Sequence, residues 1–194
     1  MALDKWGATI SNAVSDAAAR QAAVREAEAA LQIAREIPAS VFVVHLGTPT
    51  VQGGENNRAA AQRSVEEICR LAEPIGIRVA VEVIPNPLSD ASSLVALLER
   101  DLEAQTAGIC LDLGHAFLLG DVADAVETVA EHLITTHVHD NGGKKDDHLV
   151  PSLSAAPSTR VDTKHLMRRT INSHSQFPEV HPRLRYQSHC YAAF

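Results

Sequence analysis

The chain has 194 residues, 45% of them hydrophobic, with a formal net charge of −7 at pH 7. It is long enough to bury one sizeable core, and no apolar run approaches the roughly 18 residues that span a bilayer. Residues 1–150 carry 11 Lys and Arg against 22 Asp and Glu, whereas residues 151–194 carry 6 against 2, so the acidic body is a poor footprint for a nucleic-acid backbone.

The N-terminus lacks a basic segment followed by an apolar one, so no signal peptide is indicated and cytoplasmic is the default. Residues 1–12 show no clear period, and Trp6-Gly7 suits a loop. Ser15 or Asp16 is a good N-cap, and Val24, Ala27, Leu31 and Ala34 follow at helical spacing until Pro38 stops the run. A strand over 41–46 follows, then a Gly/Pro/Asn-rich loop through Asn57. Val65, Ile68, Cys69 and Ala72 mark the inner face of a second helix that Pro74 and Gly76 end. A strand over 77–83 comes next, and Ser89 or Asp90 caps a third helix running to about residue 103. The spacing then predicts a strand over 107–113, a helix capped by Asp121 with Val122, Val126, Val129 and Ala130, and a strand over 134–139. Short apolar strands alternating with helices of this length imply βαβ units and an α/β fold with a parallel sheet.

The chemistry sits where the strands end. VFVVHLG ends in His45, VAVEVIPN around Glu82, ICLDLGHA in Asp112, and ITTHVHDN in His139, with His137 two residues earlier on the same strand. Taken alone, His45 is an ordinary satisfied histidine. Glu82 and Asp112 are different, because a carboxylate in an apolar strand is costly to bury without a cation or hydrogen-bond donors. Ligands on every successive strand favour a (β/α)8 barrel over an open doubly wound sheet, whose ligand sits at one switch point. A divalent metal is the simplest shared partner. A mixture of oxygen and nitrogen donors suits Mn²⁺, Zn²⁺, Co²⁺ or Fe²⁺ better than Ca²⁺. Cys69, Cys110 and Cys190 form no CxxC pair and argue against a thiolate zinc site or a disulfide framework. His115, three residues beyond Asp112, has three open roles: binding a substrate hydroxyl, holding a second metal, or capping the next helix. In DNGGKKDDH, residues 140–148, Lys144 or Lys145 would meet an anionic or hydroxyl-rich ligand, and Asp146 and His148 would act as donors or additional ligands; the plain alternative is a solvated, charged hairpin.

HLG after the first strand, VEVIPN, CLDLGHA and HVHDNGGKKDDHLVP, in this order over residues 6–151, resemble the xylose-isomerase-like barrel superfamily. That superfamily holds sugar and sugar-phosphate isomerases and epimerases and the metal-dependent apurinic-site endonucleases. The resemblance implies Glu82, Asp112 and His139 as metal ligands, Glu82 also as the catalytic acid/base, and His115, Lys145 and His45 as substrate contacts, with Asp146 and His148 in the same cleft. It implies a divalent cation, Mn²⁺ first and Zn²⁺, Co²⁺ or Mg²⁺ as alternatives. The implied reaction is proton transfer beside a carbonyl through an enediolate, on a small sugar or sugar phosphate. No membrane or nucleic-acid partner is implied, and a homo-oligomer is compatible.

Against a pattern of eight strands and about 250 residues, the chain begins at what looks like the loop after the second strand. It lacks the last two strands and the terminal glutamate that serves as fourth ligand and second acid/base. Residues 1–150 are therefore expected to form an incomplete (β/α)8 TIM barrel of about four central strands. Residues 151–194, with six Ser, four His and four Pro and no alternating strand, are expected to be an atypical tail, disordered or read out of frame; Glu179 there stands in no strand context. An apurinic-site endonuclease-like hydrolase and a non-catalytic fragment stand as alternative readings.

Overall fold

The computed structural model describes residues 10–150. These form α1 (Ala17–Ala34), β1 (Val41–Val44), α2 (Arg58–Ala72), β2 (Arg78–Glu82), α3 (Ala91–Ala96) continued by a π turn over Leu97–Asp101, β3 (Ala107–Asp112), α4 (Leu113–Leu119), α5 (Val122–Val129) and β4 (Leu133–His137). The expectations for Trp6-Gly7 and for residues 151–194, Glu179 included, lie outside the described residues.

The strands are all parallel and ordered β1-β2-β3-β4. Each passes to the next through at least one helix, the strand-helix alternation of a (β/α)8 barrel. Among the described residues the sheet does not close, and β1 and β4 are its edges. No described helix is long and apolar enough to cross a membrane.

Every α-helix starts from an Asp or Asn whose side chain accepts a backbone N–H of the first turn: Asp16, Asn57, Asp90, Asp112 and Asp121. Such caps satisfy donors that a helix start otherwise leaves open. The Pro74-Gly76 stop also appears, as a 3-10 turn over Glu73–Ile75 whose cap, Gly76, takes a left-handed φ of 70°. Val24 and Leu31 of α1, with Val65, Ile68 and Ala72 of α2, pack into a core that also takes Val79, Val81, Ile109 and Leu111 from the helix-facing side of the sheet. Between α2 and β2, Ile77 joins the same core.

Two local readings change. The strands end one or two residues earlier than the apolar runs suggest, at Val44, Glu82, Asp112 and His137. The short helix α4, which holds His115, is not among the elements expected from the sequence. Asp112 Oδ1 accepts the His115 backbone N–H at 2.8 Å and starts a helix immediately after the strand. His115 is thus capped by Asp112 rather than acting as a cap.

The turn after β2 is held by one buried amide. Asn86 Nδ2 donates to the Leu46 carbonyl at 2.9 Å, and its Oδ1 accepts the Leu88 N–H at 2.8 Å. Ser89 Oγ reaches the same Leu46 carbonyl at 3.0 Å, so the segments following β1 and β2 are tied together beside the site. Replacing Asn86 with alanine leaves the buried Leu88 N–H without its acceptor. We expect Asn86→Ala to lower the unfolding free energy by about 2 kcal/mol, read from urea denaturation; a loss within a few tenths of that of an exposed-site control would contradict this role.

Candidate functional site

The inner face of the sheet builds the site in two layers. Val43, Ala80 and Cys110 form a small apolar cluster on this face. Two residues further along each strand, on the same side, stand His45, Glu82 and Asp112. In the strand register Cys110 lies beside both Glu82 and Thr135, and Asp112 is level with His137. The small thiol of Cys110 leaves room above it for the Glu82 side chain to meet His137.

Glu82 and Asp112 are each 1% exposed. Glu82 Oε2 accepts from His45 Nε2 at 2.8 Å and Oε1 from His137 Nδ1 at 3.0 Å, with His115 Nδ1 at 3.6 Å from Oε1. His115 Nδ1 also lies 3.0 Å from the Val83 carbonyl, the acceptor that sets the ring's orientation. Asp112 Oδ1 is 2.9 Å from His139 Nε2.

Beyond β4 the chain makes a loop closed at its base by two backbone bonds between Asp140 and Leu149, 2.8 and 2.7 Å long. This loop lowers Asp146 onto the site. Asp146 Oδ2 is 3.2 Å from His115 Nε2 and 3.0 Å from His148 Nε2, and Oδ1 is 3.6 Å from His139 Nε2. The His139 and His148 rings stack with centroids 4.1 Å apart. Together these groups line a cleft of about 730 Å³, within the range that holds small-molecule ligands.

The electrostatics follow from burial. Desolvation alone would raise the Glu82 carboxyl, but the imidazoles of His115, His137 and His45 overcome it and hold the group well below the usual carboxylate range. Burial draws His115 down, while Glu82, Asp112 and Asp146 more than reverse this and push it up to about 9. His137 is raised by Glu82, and His139 by Asp112. Cys110 is a buried thiol, and desolvation with the two neighbouring carboxylates keeps it protonated.

This chemistry fits a divalent cation. Three sets of donor atoms lie within 4.8 Å of one another: Glu82, Asp112 and His115; Glu82, Cys110 and His137; and His115, His139, Asp146 and His148. His139 Nε2 is buried and, despite its closeness to Asp112, makes no aligned hydrogen bond; His45 Nδ1 is likewise buried without a hydrogen-bond partner among the described residues.

Of the residues singled out from the sequence, Glu82, Asp112, His139, His115, His45, Asp146 and His148 all line the cleft. His115, rather than His139, completes the compact set with Glu82 and Asp112. Lys145 is elsewhere. Its side chain is 80% exposed, and Nζ pairs with Asp147 Oδ1 at 2.8 Å, a local partner that holds it on the outer arm of the loop. The residue not assigned a role from sequence is His137; its signal was the HVH spacing, which brings both imidazoles to the site.

A family model described as xylose isomerase-like TIM barrel matches residues 5–173. Uncharacterized protein MJ1311 of Methanocaldococcus jannaschii is 31% identical over 133 residues, 62% of this chain and 44% of its own length. The chain thus spans less than half of that relative. Among solved structures, a D-tagatose 3-epimerase-like protein is similar with a TM-score of 0.69 and 24% identity over 84% of this chain and 70% of that one. A D-psicose 3-epimerase crystallised in the presence of D-fructose gives 0.63 and 22% over 82% and 57%. These structures share the fold.

The raised imidazoles fix the direction of the pH response. A group whose folded pKa is raised stabilises fully below its unfolded value and loses that contribution as pH rises through the folded one. For the chelator-treated chain, we expect the melting temperature to fall between pH 6.5 and about 9, the span over which His115 shifts. The increase in melting temperature on adding Mn²⁺ should grow over the same span as protons cease to compete for the imidazoles. Scanning calorimetry with and without the ion checks both slopes, and parallel pH profiles would refute the linkage.

Proposed function

This chain belongs to the family of xylose isomerase-like TIM barrels, and we propose that its cleft serves a metal-dependent isomerase or epimerase acting on a small sugar or sugar phosphate by proton transfer through an enediolate. The observation that carries the reading is the convergence of Glu82 and Asp112 with His115, His137 and His139 at the C-terminal ends of neighbouring parallel strands, the end at which barrels of this kind place their chemistry. The likeness of fold to a D-tagatose 3-epimerase-like protein and a D-psicose 3-epimerase supports a ketose-sized substrate.

Glu82 and Asp112 would hold the cation, with His115 completing the compact set as the side chains stand and His139 approaching from the Asp112 side, and Mn²⁺ is our first choice for a site of two carboxylates and imidazoles. When bound, the cation would supply Lewis-acid polarisation of a carbonyl and neutralise the negative charge that develops there. The remaining work falls to side chains. Glu82 would hold or return the proton on the carbon beside that carbonyl. Each of its oxygens accepts from an imidazole, so Glu82 is a weak base as it stands; it takes up a proton only when His45 or His137 gives way. In this reading His115 would bind a substrate hydroxyl through Nε2, now 3.2 Å from Asp146 Oδ2, and His45 would do so only by releasing Glu82. Lys145 would reach a substrate only by leaving Asp147.

Among the described residues, the carboxylates lining the cleft are Glu82, Asp112 and Asp146. Among the described residues no further carboxylate lines the cleft, and the proposed reaction is tested first as exchange of a proton. One observation favours a different class. The donors of His115, His139, Asp146 and His148 form a second cation-sized set beside the first, as a multi-metal apurinic-site endonuclease would need. The acidic balance of residues 1–150 opposes a DNA backbone in that reading.

Incubation with Mn²⁺ and a ketohexose in D₂O should place deuterium on the carbon next to the carbonyl, and Glu82→Gln should abolish it. Incision of an abasic duplex without sugar exchange would transfer the chain to the nuclease reading, and neither activity would leave the non-catalytic one. Asp112→Asn should lower Mn²⁺ affinity severalfold or more by titration calorimetry; an unchanged affinity would remove Asp112 from the site.

A further inference from the structure

Gly114 lies in the first turn of α4, between Asp112 and His115, and is buried. Its φ is not positive, so backbone conformation gives no reason for glycine here. Within a helix, glycine is less stabilising than alanine, and its presence needs another cause. That cause is on the opposite wall. A Cβ built at position 114 overlaps the His139 ring, striking Cε1, Nδ1 and Nε2. The imidazole rests against the bare Cα.

A second contact fixes the same pair of segments. The Gly114 carbonyl accepts from Asn141 Nδ2 at 2.8 Å, both groups buried. Asn141 follows His139 by two residues, so the chain leaving β4 is tied to the residue on which the ring lies. Asp112, two residues before Gly114, carries the oxygen 2.9 Å from His139 Nε2. One helical turn therefore presents the carboxylate and clears the space for its imidazole partner.

We propose that Gly114 is a positioning residue of the cation site: by lacking a side chain it admits the His139 imidazole against α4 and sets where Nε2 stands relative to Asp112 and Asp146. The proposal rests on the cation reading of the cleft. The ring atoms that a Cβ would strike are the far end of the His139 side chain, which can rotate away. A methyl group at 114 therefore displaces the ligand while leaving the helix intact.

The test uses the whole chain in four forms: unsubstituted, Gly114→Ala, His139→Ala and the double variant. In the chelated, unsubstituted chain, a nuclear Overhauser effect between Gly114 Hα and His139 Hε1 is expected; its absence overturns the seat with no cation involved. Mn²⁺ titration by calorimetry should show Gly114→Ala weakened by about tenfold or more, the scale on which displaced supporting groups act. In the His139→Ala background, Gly114→Ala should weaken Mn²⁺ binding no further. Equal affinity in Gly114→Ala and the unsubstituted chain, or an equal loss in both backgrounds, overturns the proposal while leaving the cation reading in place. Failure of the unsubstituted chain to bind Mn²⁺ removes the cation reading and the proposed role together. Should Gly114→Ala not fold, removing the ring with His139→Ala must restore folding, and failure to do so also overturns the proposal.

Discussion

Two carboxylates on neighbouring strands, buried to the same degree, impose the constraint that shapes this molecule. Glu82 and Asp112 are each 1% exposed, and negative charges in such surroundings require compensating positive charge or several donors within contact distance. The chain provides imidazoles. His45, His115 and His137 surround Glu82, while His139 and the His115 backbone N–H approach Asp112. In the metal-free state the balance is carried by protons held on the rings, which is why His115, His137 and His139 all bind protons more tightly than free histidine. A divalent cation would bring the same compensation from outside, at the expense of those protons.

The parallel sheet makes this possible at small cost to packing. On its helix-facing side Val79, Val81, Ile109 and Leu111 pack with residues of α1, α2 and α5, so the layer is held together without recourse to the polar end. On the inner side, Ala80 and Cys110 keep the floor low beside Val43. Larger residues at those positions would fill the space in which the Glu82 carboxylate and the His137 ring meet. The polar cluster is thus confined to one end of the strands, and the stability of the layer is supplied elsewhere.

The legibility of each part in the sequence tracks how local its cause is. Helix starts were readable because Asp16, Asp90 and Asp121 act on N–H groups two or three residues away. Glu82 and Asp112 stood out because an apolar strand gives a carboxylate no local partner, which points to a distant one. Other features depended on which distant group wins. His137 and His139 differ by two residues, and the register places His137 level with Asp112; only the side-chain contacts show that the first meets Glu82 and the second Asp112. Lys145 read as a substrate contact because it lies close in sequence to the cleft; its pairing with Asp147, two residues on, places it in solvent instead. The short α4 was hidden because seven residues carry too little periodicity to register.

Asp112 shows how the fold and the site share a single atom. Its Oδ1 accepts the backbone N–H of His115 at 2.8 Å, which starts α4, and lies 2.9 Å from His139 Nε2, which belongs to the cleft. A carboxylate free to rotate would meet a cation at an entropic loss each time it bound. Here the helix start has already fixed one oxygen, and with it the plane of the group, so Oδ2 is turned toward His137, 3.8 Å away. The same turn of helix carries His115, whose ring reaches the Val83 carbonyl at the end of β2, and so couples the ends of β2 and β3. The order of residues in LDLGH is therefore mechanical: the acid caps, the glycine admits the facing imidazole, and the histidine spans to the next strand, so that the donors of three strands are positioned before any ligand arrives.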